Sequence, residues 1–332
     1  MTAPLSTALT RDAGIEVPLI CGAMYPCSNP ELVAAASDAG GIGIVQPVSL
    51  TYVHGWDFRE GLRHIRSLTD RPIGFNALIE ASSKTYADRM DRWIDIALEE
   101  EVRFFVTSLG KPDRVVERVH AVGGKVYHDV TSRKWALKGV DCGVDGLIAV
   151  NREAGGHAGP TSAAALLDEV GDLGLPVVCA GGVATPDDFA HVLRLGYAGA
   201  QCGTRFIATD ECSASDEYKA AVVDADADDI VLTERITGVP VAVIETPHVQ
   251  AVGTKAGPFA RWMLRGRRRK HWMRTFYALK SIHALKKSLS ASEGRDTYWQ
   301  AGRSVRGIHS IEPTARIVRE FGDAARTLPL RD

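Results

Sequence analysis

From residue 17 to about residue 210, short apolar runs rich in β-branched residues alternate with longer stretches in which apolar positions recur every three or four residues. The runs are 17–21, 43–46, 73–78, 103–107, 125–130, 146–150, 177–180 and 200–202; the stretches between and after them are 30–39, 58–67, 86–100, 112–122, 132–138, 161–170, 186–195 and 212–223. A short apolar run reads as a buried strand and a longer amphipathic stretch as a helix. Eight strands, each followed by a helix, predict parallel β/α units, and eight units within ~200–250 residues close a (β/α)8 barrel. A doubly wound open sheet is the alternative. Against it, no G-x-G-x-x-G follows the first strand and no acidic partner stands at the expected spacing.

The punctuation agrees with the periodicity. Pro30, Pro112 and Pro186 stand where a first-turn proline is tolerated, preceded by Asn29, Lys111 and Thr185. Gly40-Gly41, Gly123-Gly124 and Gly196 fall where helices should stop.

In such a barrel the chemistry lies at the carboxyl ends of the strands. Those positions are Gly22-Ala23-Met24, Gln46-Pro47, Asn76, Ser108, His128-Asp129, Asn151 to His157, Gly181-Gly182 and Gly203-Thr204. The sixth is the densest: Gly155, Gly156 and Gly159 clear side-chain bulk from around His157, which suits close approach of a flat ligand. An imidazole there is a candidate general base or hydrogen-bond donor; a loop histidine bonded to a carbonyl is the competing reading. Gly181-Gly182 after the seventh strand and Gly203-Thr204 after the eighth offer backbone N–H groups and a hydroxyl where barrels of this kind bind phosphate. Asn76 would place a carboxamide at the barrel mouth, unless it caps the next helix.

After residue 237 the pattern changes. Residues 239–244 suggest one further strand, 259–289 one or two helices, and 312–325 a last helix. The middle of this region is unusually basic: eleven Lys and Arg lie between Lys255 and Ser288 with no acidic residue. Taking those 11 from the 39 basic residues leaves 28 against 41 acidic ones, so a body of charge −13 carries one basic segment. Such a segment can meet a membrane surface, nucleic acid or an acidic partner, or pack on the acidic body as a lid or side wall at the barrel mouth.

The remaining composition, 45% hydrophobic and 24% charged, is that of a soluble globular protein with a large core. No signal-peptide core or uncharged apolar run of ~20 residues is present, so a cytoplasmic protein is expected. The six cysteines are scattered without a C-x-x-C pair, which suggests neither a metal site nor a disulfide framework.

Gly22-Ala23-Met24, Gly40-Gly41-Ile42-Gly43, Gly74-Phe75-Asn76, Glu153-Ala154-Gly155-Gly156-His157-Ala158-Gly159, Ala180-Gly181-Gly182, Gly203-Thr204-Arg205-Phe206 and Trp299-Gln300-Ala301-Gly302, in this order along essentially the whole chain, resemble the nitronate monooxygenase (2-nitropropane dioxygenase-like) family. That family also includes flavin-dependent enoyl-acyl-carrier-protein reductases and NADH:quinone reductases. The resemblance implies a TIM barrel that binds FMN non-covalently. Ala23 and Met24, through their backbone, and Asn76 would contact the isoalloxazine, Gly156 would border the cofactor, and Gly181, Gly182, Gly203 and Thr204 would hold the phosphate. His157 would face the substrate. Some relatives carry a lysine after the fifth strand, where this chain has Asp129, a reversal of charge. Tyr25-Pro26-Cys27-Ser28 and Tyr52-Val53-His54-Gly55-Trp56 also depart from the family pattern. The domain organisation expected is an FMN-binding barrel over 12–235, completed by a C-terminal helix over 296–328, with 236–295 as a helical, basic insertion over the mouth.

The function this implies is oxidation of alkyl nitronates or nitroalkanes with O2 to a carbonyl compound and nitrite. The alternative is NAD(P)H-dependent reduction of quinones or enoyl thioesters, with the basic segment docking an acidic carrier such as acyl carrier protein or coenzyme A. A flavin-binding module without turnover would leave His157 with little purpose, and nucleic acid is not the expected partner. The substrate, the choice between NADH and NADPH and the oligomeric state are not legible in the chain.

Overall fold

The computed structural model describes residues 5–80, 84–236, 238–255 and 298–328. Eight parallel strands close into a ring in sequence order: β1 (Leu19–Cys21), β2 (Ile42–Val45), β3 (Gly74–Ile79), β4 (Phe104–Leu109), β5 (Lys125–Val130), β6 (Gly146–Val150), β7 (Val177–Ala180) and β8 (Gly199–Cys202). The fold is therefore the expected TIM barrel. Its described α-helices are α1 (Ala8–Ala13), α2 (Pro30–Asp38), α3 (Phe58–Leu68), α4 (Lys84–Glu99), α5 (Asp113–His120), α6 (Arg133–Asp141), α7 (Ala163–Val170), α8 (Pro186–Leu195), α9 (Thr204–Ile207), α10 (Asp216–Asp224), α11 (Pro247–Val252) and α12 (Thr314–Arg326).

Strand alternation sorts the side chains. Ile20, Ile44, Phe104, Tyr127, Ile148 and Val178 point inward and fill the ring, while their neighbours pack outward under the helices. Large and small residues interlock there: a Cβ on Gly146 would fall 1.9 Å from the Tyr127 ring. The amino-terminal end of the ring is plugged by α1, whose Leu9 and Ala13 join the inner cluster. Tyr127 reaches down to that plug and donates its hydroxyl to Asp12 at 2.8 Å.

Local chemistry sets the helix ends. Thr185 and Asp188 form a capping box at the start of α8, Pro186 occupies its first turn, and Gly196 ends it at φ +113°. Gly40 and Gly123, also at helix ends, have φ of +97° and +73°. Pro112 differs from expectation, standing as the N-cap of α5 rather than inside its first turn. The helix expected from 212 begins only at Asp216, capped by the Ser215 hydroxyl. Cys212 instead faces the carbonyl of Cys27, 3.6 Å away.

Past the barrel, β9 (Ile230–Thr233) and β10 (Val241–Ile244) make an antiparallel hairpin, of which only the second strand was expected. Helix α12 packs against α8 and α2, with the Phe321 and Phe189 rings stacked at 5.2 Å. The helices expected over 259–289 lie outside the described residues, as does all of the basic segment beyond Lys255. All six cysteines are free thiols. Among the described residues no helix is long and apolar enough to cross a membrane.

Candidate active site

At the mouth, the loop after β6 is held by Asn151, which is fully buried. Its amide nitrogen donates to the carbonyl of Gly181 at 2.9 Å and its Oδ1 accepts the N–H of Glu153 at 2.8 Å. Gly181 can lie this close because it lacks a side chain: at φ +109°, an added Cβ would sit 2.5 Å from the nitrogen of Ala154. The loops after β6 and β7 therefore form one body. The pairing of Ala180 with Gln201 brings the end of β8 alongside, so Gly181-Gly182 and Gly203-Thr204 stand on neighbouring strand ends. Gly22 donates to the carbonyl of Cys202 at 2.9 Å, and Met24 lies over Gly203, its Sδ 3.4 Å from where a Cβ would project.

The last described segment closes the arrangement from the other side. Ala242 of β10 donates to the carbonyl of Gly156 at 2.8 Å, and Ile244 donates to the carbonyl of Trp299 at 2.9 Å. Gly302 and Gly155 meet backbone to backbone: a Cβ on Gly302 would lie 2.5 Å from the nitrogen of Gly155. The N–H of Gly302 donates to the Thr204 hydroxyl oxygen at 2.9 Å, which leaves that hydroxyl its own hydrogen to donate. The Trp299 ring stacks on Tyr218 at 5.8 Å, and Tyr218 donates to the carbonyl of Gln300 at 2.5 Å.

Each sequence-derived candidate is thus placed at the carboxyl end of the barrel. His157 sits on the clamped loop with its side chain exposed at the mouth, and desolvation by the surrounding protein lowers its imidazole below the usual histidine value. Asn76 lies within β3, well before α4 begins at Lys84, which removes helix capping as its explanation. His128, one residue before Asp129, is structural: it shares a hydrogen bond of 2.8 Å with the Thr107 hydroxyl and is pushed down to about 4 by burial. Asp129, the position of the expected charge reversal, lies near the carboxyl end of β5. Burial raises its carboxyl to about 7, so it is not a fixed anion.

Three contributors were not singled out in the sequence. Asn151 appeared only as a loop end, Gln201 only as an interior strand residue, and Glu153 only as part of a motif. Glu153 proves to be a junction, bonded to Arg306 and Arg152, each at 3.2 Å. Among the described residues no group of three or more His, Cys, Asp or Glu side chains is arranged to hold a metal ion. The mouth thus carries side-chain-free backbone at Gly181, Gly182 and Gly203 and the imidazole of His157 on the neighbouring loop.

Comparison with known proteins places the chain in a family. A family model described as nitronate monooxygenase matches residues 6–322. The chain is 29% identical over 297 residues to the (3aS,4S,5R,7aS)-5-hydroxy-7a-methyl-1-oxo-octahydro-1H-indene-4-carboxyl-CoA dehydrogenase of Rhodococcus jostii, covering 89% of this chain and 81% of the relative. It is also 29% identical over 288 residues to a probable nitronate monooxygenase of Staphylococcus saprophyticus, covering 74% and 80% of the two chains. Among solved structures, FabK from Thermotoga maritima superposes with a TM-score of 0.80 at 26% identity, over 97% of each chain.

Proposed function

Since the chain belongs to the nitronate monooxygenase family and is a flavin-dependent oxidoreductase, we propose that it holds FMN non-covalently at the barrel mouth and oxidises alkyl nitronates or nitroalkanes with O2 to a carbonyl compound and nitrite. The observation that carries this reading is the placement of His157 on a loop clamped between β10 and the segment at 299–303. The residues present suit FMN. Gly181, Gly182 and Gly203 leave bare backbone for the phosphate, and Thr204 keeps a hydroxyl hydrogen for it. Asn76 and the backbone of Ala23 and Met24 would border the ring, and Gly156 would lie at its edge. Bound FMN supplies the electron acceptor and the means of passing electrons to dioxygen.

The protein's own part is proton handling and position. Neutral His157 takes the α-proton of a nitroalkane, or in protonated form bonds an oxygen of a nitronate. Its fixed loop holds that nitrogen toward the substrate carbon, so the proton moves without the loop having to reorganise. The plug formed by α1 and the apolar ring interior keep water from the ring's lower side.

A second reading has one specific support: the Rhodococcus relative is named for a CoA thioester, and its similarity spans 89% of this chain. A carbonyl-activated α-carbon presents His157 with the same task as a nitro-activated one. In that case NAD(P)H or the thioester exchanges electrons with the flavin, and coenzyme A or acyl carrier protein meets the basic segment.

Anaerobic stopped-flow absorbance of the FMN-loaded protein decides between them. Bleaching of the flavin band by propyl nitronate, without pyridine nucleotide, is the expected result. Bleaching by NADH, NADPH or a CoA thioester while propyl nitronate does nothing would replace the first reading with the second.

A further inference from the structure

Two buried oxygens near the centre of the barrel mouth have no hydrogen-bond partner, Asp129 Oδ1 and Gln201 Oε1. They belong to one pair, for the Gln201 side chain also hydrogen-bonds the Asp129 carboxyl. The two residues come from β5 and β8, which are not adjacent in the ring, so the contact crosses its interior. Alternation explains how they meet. Asp129 follows two residues after inward-facing Tyr127, and Gln201 points in closely enough that a Cβ on Gly22 would strike its Cγ at 2.9 Å. Below them lie Ile20, Ile44, Phe104 and Ile148, which offer no polar partner.

Burial is the larger influence on the Asp129 carboxyl, the Gln201 hydrogen bond opposes it, and no charged side chain is among the causes. The strand residues at the same level are uncharged: Gly22, Asn76, Ser108, Val150 and Ala180. Nothing nearby compensates a carboxylate there. Buried oxygens without partners are tolerated where a ligand later supplies them.

We propose that Asp129 and Gln201 recognise the polar edge of the flavin ring, Asp129 in its acid form donating from Oδ1 to a ring carbonyl while Gln201 Oε1 accepts the ring imide N–H. The donor and acceptor offered by the pair match the acceptor and donor alternating along that edge. The inference rests on the FMN reading above and deepens it.

The test is binding of FMN, and of riboflavin, which carries no titrating phosphate, to apoprotein between pH 6.0 and 8.5, followed by flavin fluorescence. In the wild type the complex favours the protonated acid, so affinity is full below the apoprotein pKa and is lost as pH rises through that of the complex. Expected is a dissociation constant about tenfold weaker at pH 8.5 than at pH 6.0 in the wild type, with Asp129→Asn free of that dependence. Gln201→Met, which removes the acceptor at similar volume, weakens binding at every pH. Parallel profiles in wild type and Asp129→Asn, or riboflavin affinity that is flat or rises with pH in the wild type, overturn the pair; the riboflavin profile decides even if the variant fails to fold. Failure of wild-type protein to bind either flavin at any pH overturns the cofactor reading itself, and the pair with it.

Discussion

Asn151 bonds Gly181 across the gap between two loops, 2.9 Å from amide nitrogen to carbonyl oxygen, and so ties the loop bearing His157 to the glycine pair proposed for the phosphate. Asn151→Ala would free the Gly181 carbonyl and the Glu153 N–H together. Leaving two buried groups unpaired costs about 2 kcal/mol. A fall in melting temperature of a few degrees is expected, with FMN affinity weakened at least tenfold, in a thermal melt and a fluorescence titration.

Gly181→Ala meets both left-handed backbone and the nitrogen of Ala154 at 2.5 Å. Loss of FMN binding is expected, together with clear destabilisation. Gly171→Ala is its control: that residue has ordinary helical geometry and an added Cβ only touches Leu167 at 3.6 Å, so melting should hold or rise slightly and FMN binding should stay unchanged. Equal effects of the two substitutions would remove the special status of the glycine pair.

His157→Asn should leave the protein yellow while lowering kcat with a neutral nitroalkane by about 10²–10⁴-fold. Because burial lowers the His157 pKa, the acid limb of kcat/KM should fall below the ordinary histidine value of about 6.5. A pH–rate profile of wild type and variant checks both, and full turnover in the variant would remove His157 from the reaction.

His128 makes the fold acid-sensitive. Both folded and unfolded chains hold it neutral above about 6.5; as pH falls toward about 4, only the unfolded chain takes up the proton. Stability is lost across that window, by up to ~3 kcal/mol. Urea midpoints at pH 7 and pH 4.5 should differ less in His128→Gln than in the wild type.

Asp129 acts in the opposite direction. The folded apoprotein keeps its proton up to about 7 whereas an unfolded aspartate releases it near 4, so stability falls as pH rises between those values. Apo Asp129→Asn should therefore melt above wild-type apoprotein at pH 8, and the difference should shrink at pH 5.

Much of this was legible in the sequence because barrel units announce themselves locally. The strand residues Ile42 to Val45, the stops at Gly40 and Gly196 and the capping Thr185 each act within a few residues of themselves. What stayed hidden was either too short or too distant to leave a pattern. Helix α1 has six residues, too few for a periodic stripe, and reveals its purpose only when Leu9 enters the ring floor. Strand β9 has four, with Leu232 exposed, and means little without β10 beside it. Alternation from Tyr127 marks Asp129 as inward-facing, but closure of the ring is what brings Gln201 to it. Asn151 reads as an ordinary strand-end asparagine until Gly181 is placed against it.

The contact between Gly155 and Gly302 also orders events in time. The loop carrying His157 is braced by chain that is synthesised only after all eight strands of the ring. A nascent chain can close its eight-stranded ring while the brace is still missing. A truncation that spares every strand but removes residues from 299 onward would leave the mouth unbraced and would also strip α12 from α2 and α8.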